Sequence, residues 1–106
     1  MKQLMLEKQL FLRRDLTRED VAREVLTNRT YITRALRGRG LNFSQFVNSF
    51  RAAYAMDLMT VASNRDLHPA DIAEMSGFSC LDTMNRYIKK SAGSTACALQ
   101  NRLAED

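Results

Sequence analysis

The chain has one proline, four glycines, two cysteines, one histidine and no tryptophan among its 106 residues. With so little proline, few β-branched runs and abundant Ala, Leu, Met, Arg and Glu, almost nothing interrupts helix, so an all-α chain is expected. Cys80 and Cys97 are too few for a disulfide framework. They lack metal-site spacing, and His68 is the single histidine, so no metal site is expected. No apolar run approaches the roughly eighteen residues of a membrane span, and the opening Met1-Lys2-Gln3 has no signal-peptide core. No membrane association and a cytoplasmic location follow as expectations. Paired carboxylates, a glycine-rich phosphate loop and a nucleophile–base arrangement are all missing, so neither an enzyme nor a bound cofactor is expected. What remains, 45% hydrophobic and 26% charged residues, can bury a core and stay in water. The length suits one compact domain or two very small subdomains.

The net charge is only +4, but its distribution is uneven. Asn28 to Arg51 holds Arg29, Arg34, Arg37, Arg39 and Arg51 with no acid, whereas Ala52 to Asp82 holds five acids against Arg65. Thr83 to Arg102 is again acid-free, with Arg86, Lys89, Lys90 and Arg102. Two basic blocks flanking an acidic one suggest two contact points for an anionic partner. Twelve arginines against four lysines suit phosphate forks and guanine edges better than general solubility.

Capping signals divide the chain into about seven helices. Leu4, Leu6, Leu10 and Phe11 predict an opening helix over Lys2 to Leu12. A capping-box-like start, Thr17-Arg-Glu-Asp20, opens a short helix through Val21, Ala22 and Val25. Asn28 caps a third, with Ile32, Ala35 and Leu36 inward and Arg29, Thr30, Thr33, Arg34 and Arg37 elsewhere. A second capping box, Asn42-Phe-Ser-Gln45, starts the longest helix. Its stripe is Phe43, Phe46, Val47, Phe50, Tyr54, Leu58 and Val61, and Asn64-Arg65-Asp66 breaks it. Pro69 follows the cap His68 at the first position of a fifth helix, which ends at Met75-Ser-Gly-Phe78. Ser79 with Asp82 is expected to cap a sixth, and Gly93-Ser-Thr95 leads into a seventh.

The most informative feature is an internal repeat at an offset of about 51 to 53 residues, the kind of self-similarity that sets architecture. Leu16-Thr17-x-x-Asp20-Val21-Ala22 lies over Leu67-His68-x-x-Asp71-Ile72-Ala73, Thr33-Arg34 over Asn85-Arg86, and Gly40 over Gly93. Ala73 and Gly77 have helix-turn-helix spacing: the methyl lets two helices cross closely and glycine takes positive φ freely. In the first half Leu26 falls where glycine is expected. A left-handed leucine costs about 1 to 2 kcal/mol, so that turn is expected to adjust, using Asn28.

These blocks, with Asn28-Arg-Thr-Tyr-Ile-Thr-Arg34, Gly40-Leu-Asn-Phe-Ser-Gln-Phe46, Arg51-x3-Ala55-x2-Leu58 and Asp71-Ile-Ala-Glu-x-x-Gly-Phe-Ser79, resemble the DNA-binding domain of AraC/XylS-type bacterial transcription regulators over nearly the whole chain. The resemblance implies two helix-turn-helix subdomains joined by a long linker helix. The corresponding ranges are 1–41, 42–63 and 64–106. It also implies double-stranded DNA and RNA polymerase as partners, and an N-terminal sensor or receiver domain for which 106 residues leave no room. Three departures stand out. Thr83-Met84 occupy places where aromatics are usual, Ser76 replaces an aliphatic residue, and Ala96 replaces the proline typical of the last helix. The second unit is therefore expected to pack less tightly than the first.

A bridging helix of some twenty residues is about 30 Å long, close to the roughly 34 Å between successive major grooves on one face of B-DNA. One monomer could then read two grooves. By alignment with the family, Thr30, Thr33 and Arg34 in the first unit and Leu81, Asp82, Asn85 and Arg86 in the second are the base-contact candidates. Arg34 suits guanine and Asn85 adenine, while Asp82 has two readings, a helix cap or an acceptor for cytosine N4. Arg29, Arg37, Arg39, Lys89 and Lys90, with the helix starts at Thr17, Asn42 and Thr95, suit phosphates. Arg51 is read as an intramolecular anchor. Met56, Met59, Met75 and Met84 are read as gap-filling core or near-core residues and not a ligand surface, and both cysteines as partly buried small side chains. A helical protein–protein interaction module, or a nonspecific DNA-binding domain whose second unit no longer reads sequence, are the rival readings. A salt-dependent shift of duplex DNA, and competition with random DNA, separate them.

Overall fold

The computed structural model describes residues 2–61, 66–96 and 98–99. Six helices, α1 (Lys2–Lys8), α2 (Arg18–Glu24), α3 (Arg29–Arg37), α4 (Phe43–Thr60), α5 (Pro69–Met75) and α6 (Leu81–Ala92), and a 3-10 turn at Leu10–Leu12 are bounded among the described residues. No strand occurs among the described residues. Ala96, Ala98 and Leu99 are helical, with the Leu99 N–H donating to the Thr95 carbonyl at 3.0 Å. The expected break at 64–66 falls mostly outside the described residues, as does Cys97.

The opening helix is shorter than the sequence predicts. Gln9 takes left-handed dihedrals (φ 51°), and the chain continues as the 3-10 turn. The cause is packing: Met5, Leu10 and Phe11 are all buried, while Leu6 is exposed. In one continuous helix, at about 100° per residue, Leu10 and Phe11 would stand some 140° and 240° round from Met5. The kink at Gln9 brings all three into one core.

The caps lie where the residue types demand them, with one shift. Thr17 and Asp20 bond reciprocally, as do Asn42 and Gln45, and the Asn28 side chain accepts the Tyr31 N–H. His68 is the cap residue of α5; the Asp71 carboxylate accepts its N–H at 3.2 Å. The cap of α6, however, is Cys80 and not Ser79. Its thiol lies 3.0 Å from the Thr83 hydroxyl, which leaves Asp82 exposed in the first turn. Cys80 itself is exposed, against expectation.

The repeat is realised in three dimensions. α2 and α5 each lead through a turn into α3 and α6, with matched buried residues: Val21 and Ile72, Ala22 and Ala73, Ile32 and Met84, Leu36 and Ile88. The expectation that the first turn would adjust is corrected here. Leu26 itself adopts the left-handed conformation (φ 55°), as Gly77 does (φ 86°). Both turns close with the same long backbone bond, from Thr27 N–H to Ala22 O at 2.8 Å and from Phe78 N–H to Ala73 O at 3.0 Å. Leu26 tolerates this because its side chain points into solvent, 93% exposed. At Gly77 no side chain would fit: an added Cβ would lie 2.5 Å from the Phe11 carbonyl oxygen.

α4 serves two cores from opposite sides. Phe46 and Val47, with Phe43, Phe50 and Tyr54, join the core of α2 and α3, whereas Ala52, Ala55 and Met59 join that of α5 and α6. The long stripe seen in the sequence is thus only one of two, and it does not keep to one core, since its member Leu58 packs against the second. Its last member, Val61, is 46% exposed. Met59 and Met84 are buried, but Met75 is 45% exposed and not a core filler. Ser76, Met84 and Ala96, the three departures in the second unit, are all fully buried, and the Ser76 hydroxyl donates to the Ile72 carbonyl at 2.7 Å.

Candidate nucleic-acid interface

Ile32 and Leu36 turn one side of α3 into the core, and the opposite side is left polar by the helical period. Arg29, Thr30, Thr33, Arg34 and Arg37 line one shallow surface depression on that side. A second depression next to it is lined by Arg18, Thr33, Arg37, Asn42 and Phe43, with the Arg18 guanidinium 5.5 Å from the centre of the Phe43 ring. The sequence candidates Thr30, Thr33, Arg34, Arg37 and Asn42 are therefore brought together. Arg39 is exposed beyond the end of the helix. Arg34 and Arg37 form no ion pair among the described residues, whereas Arg29 pairs with Glu19 at 3.3 Å. Tyr31, 58% exposed on the same helix, was not singled out from the sequence. An aromatic ring outside the Ile32–Leu36 period was the available signal.

α6 divides its candidates differently. Met84 and Ile88 are buried, and Asp82, Arg86, Lys89 and Lys90 are exposed. Leu81 packs against the second core. Asn85 is only partly exposed, and its side-chain oxygen accepts the Ala96 N–H at 3.0 Å. The outward face therefore joins Asp82, Arg86 and Lys89 and leaves Leu81 and Asn85 at its inner edge. Thr17, Asn42 and Thr95 are exposed at their helix starts. Each is already engaged as a cap, with Asp20, with Gln45 and, for the Thr95 hydroxyl, with the Ala98 N–H at 3.5 Å.

Arg51 is the intramolecular anchor the sequence suggests. Buried on α4, it donates from Nε to the Phe11 carbonyl at 2.6 Å, from Nη2 to the Arg13 carbonyl at 2.7 Å and from Nη1 to Asn48 Oδ1 at 3.0 Å. Burial pulls its pKa below the ordinary arginine value, and the three acceptors compensate for the lost hydration. The exposed Cys80 thiol is lowered by its hydrogen bonds with Thr83, first from the side chain and then from the backbone.

Two helix-turn-helix units sharing one central helix, each with a cationic outward helix, define the class of this protein. A family described as a helix-turn-helix domain matches residues 21–102, and the chain belongs to this AraC-type helix-turn-helix family. The TCP pilus virulence regulatory proteins of two Vibrio cholerae serotype O1 strains, Classical Ogawa and El Tor Inaba, are each 30% identical over 81 residues, covering 73% of this chain. The chain spans 28% of the length of these relatives. Among solved structures, a DNA-binding transcriptional dual regulator from Escherichia coli K-12 has the same fold. The TM-score is 0.73 at 20% identity, over 87% of this chain and 80% of that one. No helix among the described residues is long and apolar enough to cross a membrane.

Proposed function

We propose that the chain binds double-stranded DNA in a sequence-specific manner as part of a transcription regulator, with α3 and α6 in successive major grooves. The observation that carries this reading is the repetition of one helix-turn-helix geometry on opposite sides of α4. α4 is about 27 Å long at 1.5 Å per residue, and the molecule is elongated, 46 × 24 × 21 Å. Both dimensions suit contact with two grooves about 34 Å apart.

In this reading Thr30, Thr33 and Arg34 meet base edges in the first half-site, and Asp82 and Arg86 in the second. Arg29, Arg37, Arg39, Lys89 and Lys90, with the helix starts at Thr17, Asn42 and Thr95, meet phosphates and set affinity and register. Subdomains 1–41 and 64–106 act as the two reading heads, with 42–63 as the bridge. Contact with RNA polymerase, and control by a sensor or receiver domain, belong to the same proposal. Footprinting tests it: a monomer should protect two consecutive helical turns on one face of the duplex, and protection of a single turn overturns the bipartite geometry. Binding that ignores salt concentration would overturn DNA recognition altogether.

A further inference from the structure

Asn85 and Arg86 are neighbours in sequence, yet they differ in what surrounds them. At about 100° per residue, Asn85 stands between the fully buried Ile88 and the exposed Asp82 and Lys89. Its amide oxygen spans eleven residues to accept the Ala96 N–H at 3.0 Å. Ala96 is fully buried, and the Asn85 amide oxygen is the acceptor for its N–H. Recognition of adenine by asparagine needs both ends of the amide, the oxygen for N6–H and the NH2 for N7. An oxygen turned inward to Ala96 withdraws half of that fork.

We infer that Asn85 is a positioning residue in this chain and not a reader of bases. It ties the start of the C-terminal helix to α6, and residue 96 decides that it does so. Alanine there supplies an N–H that must be satisfied, whereas a proline would supply none and would suit the first position of a helix. The matched residue of the first unit, Thr33, instead opens onto the depression it shares with Arg34, so the repeat gives equivalent positions unlike tasks. The second reading head is left with Asp82 and Arg86. This inference rests on the DNA reading above for its consequence but not for the hydrogen bond itself.

The test uses the intact chain and the variants Asn85→Ala, Asn85→Asp, Ala96→Pro and the Asn85→Ala/Ala96→Pro pair, in urea denaturation and in selection from a randomised duplex pool. Asn85→Ala should lower the folding equilibrium constant about tenfold with alanine at 96, because a buried donor is orphaned, and have little effect with proline there. Asn85→Asp keeps the acceptor and loses the amide donor, so it should fold like the parent and select the same bases. Ala96→Pro frees the amide and should add a preference for adenine at one position of the second half-site, about tenfold. Equal destabilisation by Asn85→Ala on both backgrounds overturns the inference. So does a changed base at one position in Asn85→Asp, or an unchanged selection in Ala96→Pro. If no protein in the set selects a sequence, the DNA reading fails and the denaturation cycle alone decides the role of Asn85.

Discussion

A Cβ placed on Gly77 would lie 2.5 Å from the Phe11 carbonyl oxygen and 2.9 Å from the Leu12 Cα. The turn of the second unit thus packs directly on the backbone of the N-terminal 3-10 turn. That same backbone is also held by Arg51, which donates to the Phe11 and Arg13 carbonyls. A further ion pair, Arg14 with Glu74 at 3.5 Å, spans the same junction. Residues 11–14 are thus a brace between α4 and α5.

Gly77→Ala tests the brace. The left-handed dihedral and the backbone collision together should cost about 2 to 4 kcal/mol of stability, measured by chemical denaturation. A loss under about 1 kcal/mol would mean that the 3-10 turn yields readily and braces nothing.

Leu26→Gly should act in the opposite direction. It relieves a left-handed leucine worth about 1 to 2 kcal/mol and gives back part of this in unfolded-chain entropy, for a net gain near 0.5 to 1 kcal/mol. Almost no burial is lost, since Leu26 is 93% exposed. A lower melting temperature in the variant would show that the exposed leucine makes a stabilising contact.

Arg34→Ala and Arg37→Ala should be distinguishable although the two arginines share one depression. The first should relax preference at one base pair by about 1 to 3 kcal/mol. The second should weaken all duplexes alike and reduce the slope of log affinity against log salt by about 1. Titrations over salt and sequence decide it, and identical profiles for the two variants would remove the distinction between reader and phosphate clamp.

Acid should weaken the first unit through two carboxylates. The Thr17 N–H, then the Thr17 side chain, with Arg13 and Arg23 adding attraction, hold the Asp20 carboxyl below its ordinary pKa. The bond from Lys8, and then its charge, does the same for Glu24. Both groups bind protons more readily in the unfolded chain, so their contribution is present above about pH 4 and lost as pH falls through the lower folded values. Urea midpoints followed from pH 6 downward should fall over that window (about pH 4 and below) and fall less steeply in Asp20→Asn. An unchanged pH profile in the variant would remove Asp20 from the account. The Lys8–Glu24 part should also weaken in salt, because both side chains are substantially exposed.

Much of this molecule is legible from local chemistry. Thr17 with Asp20, Asn28, and Asn42 with Gln45 mark helix starts because each cap bond joins residues three apart, and the structure makes those bonds. The repeat reveals the paired units because equal tasks leave similar spacing. Legibility falls where a residue's partner is distant in sequence. Cys80 displaced Ser79 as the cap of α6, and Met75 stayed exposed, for reasons of helix phase that neither residue announces. Ala52 and Ala55 form the second stripe of α4, and alanines are too weak a hydrophobic signal to display it beside four aromatics and long aliphatics.

Composition, capping and the offset of the two halves were enough to determine an all-helical double helix-turn-helix chain with cationic outward faces, because periodicity and caps act within a few residues. Tertiary packing alone decided that Gln9 breaks the first helix, that Leu26 bears a glycine's dihedrals and that Gly77 must remain glycine. It also decided that Asn85 turns to Ala96. Each of these depends on a contact whose two sides lie far apart along the chain or on which side of a helix meets solvent, and those are properties of the folded shape and not of any short stretch of residues.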